Sequence, residues 1–169
     1  MPTFTFSKPI DDIEEPQLLE EDWYLAEISA TPTLEKNKKM EDDPNQEGAG
    51  YNLVVKVKLI EGEALNRRFN LYLPWPSVAD EDAYDGVGMK VSDAKMQRIA
   101  NFTTKFGGIA DGTDVVLEEG MRGYVYVLTE LARDGQTMRN SVDTFGTGFK
   151  SVEDMLEEEE SAPGIGEDE

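Results

Sequence analysis

The sequence predicts a mainly β domain with one helix and acidic ends. Along the middle of the 169-residue chain, short segments alternate apolar and polar residues, as half-buried strands do. One segment repeats its apolar residues at three- and four-residue steps instead, which is the spacing of a helix face. The formal charge of −20 is concentrated at the two ends, so the middle can form an ordinary folded core.

The first predicted strand is DWYLAEISAT, residues 22–31, a short run rich in aromatic and branched residues. Residues 35–50, EKNKKMEDDPNQEGAG, combine charge with Pro, Asn and Gly and predict a long loop. The second strand, YNLVVKVKLIEG over residues 51–62, shows the clearest alternation. Its outer face is predicted to carry Lys56 and Lys58, and its core face Leu53, Val55, Val57 and Leu59.

The third predicted strand is RFNLYLP, residues 68–74. Phe69, Leu71 and Leu73 are predicted to face the core, and the opposite face carries Arg68, Asn70 and Tyr72. Residues 74–90 contain two prolines and two glycines at PWP and GVG, so this stretch is predicted to be a second long loop.

The predicted helix follows in SDAKMQRIANFTTKFGG. Its core face is expected to carry Met96, Ile99, Phe102 and Phe106. Ser92 suits the N-cap, and Gly107 or Gly108 suits the stop.

Two strands close the domain: RGYVYVLTEL over residues 122–131 and TMRNSVDTF over residues 137–145, joined by a hairpin turn at Asp134-Gly135. The order β-β-β-α-β-β predicts a five-stranded OB-fold-like barrel with one helix between strands 3 and 4. An open antiparallel sheet with one helix packed on it has the same order. We place the domain at residues 22–147, between an acidic N-terminal extension (1–21) and a flexible, disordered acidic C-terminal tail (148–169).

Charge and composition exclude several classes of site. The chain has no Cys and no His, which excludes a disulfide framework, a Cys/His zinc site, a thiol nucleophile and a His-based triad. No metal or other cofactor is predicted. Asp93-Ala94-Lys95 has the acid-x-Lys form found in some metal-dependent nucleases, but it begins a helix, so no enzyme activity is expected. Without a long apolar run or leader pattern, the expected location is the cytoplasm, with no membrane partner.

Bases and aromatic rings collect on the face that OB-folds use for ligands, which is the outer face of strands 2 and 3 with the loops 1–2 and 4–5. Single-stranded nucleic acid is bound by such sets, because cations follow the phosphates and flat rings stack on bases. The predicted nucleic-acid-binding residues are Lys36, Lys38, Lys39, Lys56, Lys58, Arg68, Tyr72, Trp75, Tyr124, Tyr126, Arg133 and Arg139.

Each of these residues also has a simpler interpretation. Lysines on a strand face commonly serve solvation or protect a sheet edge, and strand tyrosines commonly pack. Trp75 suits a loop cover and an exposed stacking ring equally well. Four aromatic residues are assigned to the core: Trp23, Phe69, Phe102 and Phe106.

The acidic ends suggest a tethered competitor for that face. Residues 1–22 contain seven acids and one base, and residues 151–169 contain nine acids and no base, which leaves about −5 for the middle. A tethered acidic tail acts at an effective concentration of about a millimolar, so it can occupy a basic groove until nucleic acid displaces it. The simpler interpretation is that the tail keeps the protein in solution.

Five stretches together resemble bacteriophage single-stranded-DNA-binding proteins, a group first described as a phage domain of unknown function: DWYLAEI, YNLVVKVKLIEGEALNRRFNLYL, IANFTTKFGG, EGMRGYVYVLTE and NSVDTFG. The resemblance covers about residues 20–147. It implies an OB-like fold and non-sequence-specific binding of single-stranded DNA in phage replication or recombination, within the host cytoplasm. The implied partners are single-stranded DNA and, through the tail, replication or recombination proteins; an oligomer is compatible with this role.

Two alternatives without nucleic-acid binding were weighed. A DNA mimic would spread its carboxylates over the folded surface, whereas here they concentrate at the ends. A phage structural or accessory interaction protein needs only a stable β domain, and the sequence leaves this alternative open.

Overall fold

The fold is mainly β, with antiparallel pairing throughout, in a computed structural model that describes residues 1–14, 17–144 and 148–161. Its strands are β1 Asp22–Ile28, β2 Thr33–Lys36, β3 Tyr51–Leu59, β4 Arg68–Pro74, β5 Ile109–Asp111, β6 Asp114–Val116, β7 Arg122–Leu131, β8 Met138–Val142 and β9 Phe149–Lys150. The helices are α1 Lys38–Asp42, α2 Val91–Lys105 and α3 Val152–Ser161, with 3₁₀ turns at Ile10–Asp12, Gly62–Ala64 and Val78–Asp82.

The predicted five strands and single helix are confirmed as elements, but they are not the whole fold. Seven strands form one sheet in the order β2-β3-β1-β7-β8, with β4 paired to β3 and β9 paired to β7, and β5-β6 form a separate hairpin. The sheet is not closed into a barrel, since no ladder joins β4 to β8 in the described part of the chain. The prediction of a five-stranded OB-fold-like barrel with one helix is therefore correct in its mainly β, antiparallel character, whereas the described residues form a seven-stranded sheet that is not closed into a barrel and three helices.

The two extra positions in the sheet are continuations of other strands. β1 and β2 lie along the same edge of β3, because Ile28 is opposite Val57 and Thr33 is opposite Val54. β8 and β9 likewise follow one edge of β7, where Val142 is opposite Val127 and Phe149 is opposite Val125. The sequence does not predict β2 or β9, because strands of four and two residues carry too little alternation to define a period.

The core lies between the sheet and α2. The four residues predicted for the core face of β3 are all buried, as are Leu71 and Leu73 of β4 and the helix residues Ile99, Phe102 and Phe106. Gly123 of β7 lies directly under Phe106, where an added Cβ would come within 2.8 Å of its ring. Two helix details differ from prediction: Met96 is 52% exposed, and the helix starts at Val91, which puts Ser92 inside its first turn.

Trp23 does not belong to the core, contrary to prediction. It is half-buried on the opposite face of the sheet. Successive side chains of β1 point to alternate faces, and because Ala26 and Ile28 face the core, Trp23 points to the other side. Phe69 is half-buried and packs against the core cluster.

Both chain ends are more ordered than the predicted flexible extensions. At the N-terminal side, the Asn140 amide of β8 accepts from Leu19 N–H at 2.8 Å and donates to Leu19 C=O at 3.0 Å. Arg67 donates to Gln17 C=O at 2.9 Å and to the same Asn140 oxygen at 3.3 Å. At the C-terminal side, β9 and α3 occupy residues 149–161; residues 162–169 lie outside the described residues.

Phe149 anchors the C-terminal side. Its ring centroid lies 4.8 Å from that of Phe102 and 6.3 Å from that of Phe106, edge-on to both. A domain boundary at residue 147 would remove this buried ring, so the folded unit extends past it.

We expect Phe149→Ala to lower the free energy of unfolding by about 3–5 kcal/mol, because it removes a fully packed aromatic side chain and leaves a cavity. Urea denaturation followed by circular dichroism measures the change. Val152→Ala, three residues further on and exposed, is the control and should change stability by less than about 0.5 kcal/mol. An equal effect of the two substitutions would mean that Phe149 does not hold the C-terminal side in the core.

Candidate nucleic-acid interface

The face of the sheet opposite the core, here called the outer face, carries the clearest concentration of bases. Alternation in β3 and β4 brings out Lys56, Arg68, Asn70 and Tyr72 as exposed side chains, with Lys58 half-buried among them. The sequence interpretation of these two strand faces is confirmed. The reason is physical, because burying Leu53, Val55, Leu71 and Leu73 leaves the intervening residues only the other face.

Four bases on this face form what we call the basic patch: Lys56, Lys58, Arg68 and Arg122. The pairing register places three of them in one row across the strands, with Arg68 opposite Lys58, Lys58 opposite Glu27, and Glu27 opposite Arg122. Glu27 carboxylate oxygens lie 3.5 Å from Lys58 Nζ and 3.2 Å from Arg122 Nε. Lys58 and Arg122 therefore share one carboxylate, that of Glu27, within this row.

The row is not arranged for stability alone. Like charges directly opposite each other on neighbouring strands destabilise a sheet, and Arg68 faces Lys58 in this way. Glu27 offsets the repulsion for Lys58, but Lys56 and Arg68 have no ion-pair partner among residues 1–14, 17–144 and 148–161. Two unpaired cations in a chain of −20 indicate a surface suited to an anion.

Arg122 was missed at the level of sequence, although a signal was present. It has the same alternation as Tyr124 and Tyr126 on β7, the two tyrosines that were assigned to this face. Applying that alternation one step further along the strand would have included it.

Next to the basic patch, the outer face becomes aromatic. Trp23 lies opposite Tyr126, and their rings meet edge to face at 5.3 Å between centroids. Lys150 Nζ lies 4.5 Å from the centre of the Trp23 ring. Burial raises the pKa of the Tyr124 hydroxyl, with Glu61 and Glu159 adding to the effect. Both tyrosines are half-buried, whereas Tyr72, opposite Val54, is 54% exposed and is the most open ring of those predicted to bind.

Helix α3 brings acidic side chains to this aromatic side. Ser151 and Asp154 cap the start of the helix reciprocally, with Asp154 N–H donating to Ser151 Oγ at 2.9 Å and Ser151 N–H donating to Asp154 Oδ2 at 3.2 Å. Asp154 also forms an ion pair with Lys105 at the end of α2, and Glu158 pairs with Lys150 at 2.6 Å. The hydrogen bond from Lys105 holds the pKa of Asp154 below its usual value.

The loop lysines lie apart from the basic patch. Lys36, Lys38 and Lys39 are exposed at the end of β2 and on α1, which Asn37 caps by accepting from Met40 N–H at 2.8 Å. Lys36 is opposite Tyr51, and Tyr51 is five residues from Lys56, or roughly 16 Å along β3. Because five is an odd number, the Tyr51 and Lys56 side chains point to opposite faces of the sheet. Residues 35–47 hold five acids against these three bases, so the segment is locally negative.

The hairpin arginines also lie apart from the patch. Arg133 is exposed in the turn after β7, and Arg139 pairs with Glu130 at 3.0 Å. Glu130 is eight residues from Arg122 on β7, or roughly 26 Å. The Asp134 carboxylate organises the turn by accepting from Thr137 Oγ1–H at 2.6 Å and from the backbone N–H groups of Thr137 and Gln136. These three hydrogen bonds lower the pKa of Asp134 to about 2.

Trp75 is half-buried against the core rather than standing free. The backbone N–H of Trp75 donates to Tyr51 C=O at 2.8 Å, and the indole side chain packs against the core cluster. Of its two interpretations, the loop cover agrees with this position. Beside it, the loops after β2 and β4 border a groove of about 910 Å³.

Lys95 of the acid-x-Lys sequence donates to Asp80 at 2.7 Å, which ties the 3₁₀ turn Val78–Asp82 to α2. This bond holds the pKa of Asp80 below its usual value although burial raises it. Across the described residues, no three acidic side chains are grouped so that they could hold a metal ion. None of the helices described has the length and apolar character needed to cross a bilayer.

No protein-family model matches the chain, and no curated protein sequence matches it either.

We expect Asp154→Asn to weaken the docking of α3, because the substitution removes the charge that pairs with Lys105. An exposed ion pair contributes about 0.2–1 kcal/mol, so amide hydrogen exchange in α3 should become about two- to fivefold faster. Glu153→Gln, exposed on the same helix, is the matched control and should leave exchange unchanged.

The docking of α3 through Asp154 should depend on pH in one direction. Because the folded pKa of Asp154 lies below 3.8, its contribution to α3 docking is present above that pH and is lost as pH falls through the folded value. Protection of α3 that is already lost near pH 6 would contradict this anchor.

Proposed function

We propose that this protein binds single-stranded DNA without strong sequence preference, through the outer face of β3 and β4 and the neighbouring end of β7. The observation that carries the proposal is the basic patch, where Lys56, Lys58, Arg68 and Arg122 lie on one face of the sheet in a strongly acidic chain. Cations spaced along neighbouring strands can follow a phosphate backbone, and Tyr72 offers a ring for a base at the same face.

The proposal includes an OB-like arrangement. β4, β3, β1, β7 and β8 are neighbours in this order, and α2 lies between the third and fourth of the five strands predicted from sequence. OB-folds are partly open five-stranded barrels whose second and third strands, here β3 and β4, form the ligand face. β4 and β8 lie at the two ends of this order, and the Arg67–Asn140 hydrogen bond of 3.3 Å connects them without a ladder.

We further propose that the acidic C-terminal side competes with DNA for this face. Glu158 reaches Lys150, which is opposite Tyr124 and therefore two residues along β7 from Arg122 of the patch. Four consecutive glutamates, residues 157–160, thus lie near the anion-binding surface. Displaced by DNA, the same segment would be free for replication or recombination proteins, which fits a role on phage DNA in the host cytoplasm.

The test is fluorescence anisotropy with a labelled single-stranded oligonucleotide over a salt series, beside a duplex of the same sequence. Each neutralised phosphate contributes a slope of about −0.7 in log K against log salt for single strands, so four cations predict a slope of roughly −2 to −3. No binding of the single strand at low salt would contradict the proposal and leave the accessory-protein alternative.

We expect Lys56→Glu/Arg68→Glu to weaken single-strand binding by roughly 100-fold or more at low salt, because two phosphate contacts become repulsive. Both residues are exposed and unpaired within the described residues, so the melting temperature should hardly change. Lys90→Glu/Arg133→Glu makes the same change in net charge outside the patch and is the matched control. Equal losses in both variants would show that net charge, not the patch, governs binding.

Replacing the four glutamates of residues 157–160 with Gln should tighten binding several-fold at low salt, with the difference vanishing as salt screens the tail. The matched control replaces Glu41, Asp42, Asp43 and Glu47 with their amides, which alters net charge equally on the exposed end of α1 and the loop after it. Only a local competitor predicts a larger effect at residues 157–160 than in the loop, and equal effects would exclude competition by the tail.

A further inference from the structure

The N-terminal segment is apolar, alternating and fully exposed. In PTFTFSKP, Phe4 and Phe6 are 89% and 74% exposed, and they alternate with Thr3 and Thr5. The backbone before Ser7 has no helix or strand pairing. In an extended chain, residues two apart point to the same side about 6.6–7 Å from each other. The segment therefore presents two phenyl rings side by side.

Two apolar pockets lie side by side elsewhere on the molecule. One, of about 250 Å³, lies between α2 and the β5–β6 hairpin and is lined by Met96, Ile99 and Ala100. The other, of about 210 Å³, lies beside β2 and is lined by Leu34, Leu53 and Leu117. Trp75 and Val115 line both pockets and form the wall between them. We call the two together the twin pocket.

The segment and the twin pocket agree in number and chemistry, because two phenyl rings meet two neighbouring pockets lined largely by apolar side chains. Two rings on one side of an extended segment match two neighbouring apolar pockets that share a wall. The edge of β2 away from β3 carries no ladder in the described residues, so backbone groups are available there for an added strand. Recognition by strand addition uses this combination, in which backbone pairing gives affinity and alternate side chains fill pockets.

Charge favours the same pairing. Residues 1–8 contain Lys8 and no acid, which is unusual in this chain. Residues 111–119, which form the hairpin rim of the twin pocket and the turn after it, contain four acids and no base. Lys8 of a docked segment would meet a negative rim.

We propose that the segment Thr3–Lys8 of one copy docks in the twin pocket of a second copy, with Phe4 and Phe6 in the two pockets. A second copy is favoured over the same chain by the path of the N-terminus. In the single chain the segment is not docked, since residues 1–14 are exposed throughout, and Leu19 is fixed to Asn140 of β8, whereas the twin pocket borders β2. Reciprocal docking gives a closed dimer, whereas one-way docking gives a chain of copies.

Sedimentation velocity of the full chain over a concentration series, without nucleic acid, tests the proposal independently of DNA binding. We expect concentration-dependent association that is weakened at least tenfold by Phe4→Ser/Phe6→Ser and by Leu34→Glu/Met96→Glu on the pocket rims. Ile10→Ser/Ile13→Ser removes equally exposed apolar residues outside the segment and should leave association unchanged. A monomer at every concentration, or full association by Phe4→Ser/Phe6→Ser, would overturn the proposal.

A mixing experiment separates docking from misfolding. The Phe4→Ser/Phe6→Ser variant keeps an intact pocket and the Leu34→Glu/Met96→Glu variant keeps an intact segment, so the mixture should form heterodimers although neither variant associates alone. In a Trp23→Phe background, the peptide PTFTFSKP should change Trp75 fluorescence, whereas PTTFFSKP should not. A Trp75 change in the monomeric full chain that is lost in Phe4→Ser/Phe6→Ser and independent of concentration would show docking within one chain and overturn the second-copy assignment.

Discussion

The burial of Phe149 against Phe102 and Phe106 determines where the most acidic part of the chain lies. Because its ring is fixed in the core, residues 149–150 must pair along β7, which brings Lys150 to the outer face opposite Tyr124. Helix α3 starts at Val152, two residues after Lys150, so it begins next to that face. The capping hydrogen bonds between Ser151 and Asp154 stabilise its first turn. An acidic end that was free of the core would be a solvating tail, whereas this one begins as part of the sheet.

That placement gives the outer face two electrostatic halves. On the β3–β4 side, cations lie in register with only Glu27 between them. On the β7–β9 side, Lys150 is already engaged by Glu158 and the aromatic rings are half-buried. On the β3–β4 half, an approaching anion would meet Lys56 and Arg68, which have no ion-pair partner among the described residues. On the β7–β9 half, it would have to displace Glu158 from Lys150. The proposed tethered competitor could therefore act while covering only one half of the surface.

The long alternating strands and α2 could be predicted from sequence because each carries enough apolar residues to define a period. Lys56, Lys58 and Arg68 followed from that alternation, and Arg122 would have followed from it too. The breaks after Ile28 and Val142, the two-residue strand β9 and the hairpin β5–β6 could not, since segments so short have no period of their own. Trp23 was misassigned because a large aromatic residue is usually buried in a core, whereas register placed it opposite Tyr126. The distance of Lys36 and Arg139 from the patch depends on tertiary register, which the order of elements does not contain.

A net charge of −20 and a site for a polyanion are compatible because the two act over different distances. At physiological ionic strength the screening length is about 8 Å, close to the spacing of neighbouring groups on a sheet. The free energy of a phosphate bound at Arg68 would therefore depend mainly on the groups of the same row, which are Lys58, Glu27 and Arg122. The distant acids act mainly at low salt, where they would slow the approach of any polyanion, including the proposed DNA ligand. Added salt then weakens attraction in the patch and long-range repulsion together, so the salt dependence of binding combines two opposing effects. On the proposed function, the basic patch would hold a nucleic acid locally although the net charge of the chain has the same sign as that of the nucleic acid.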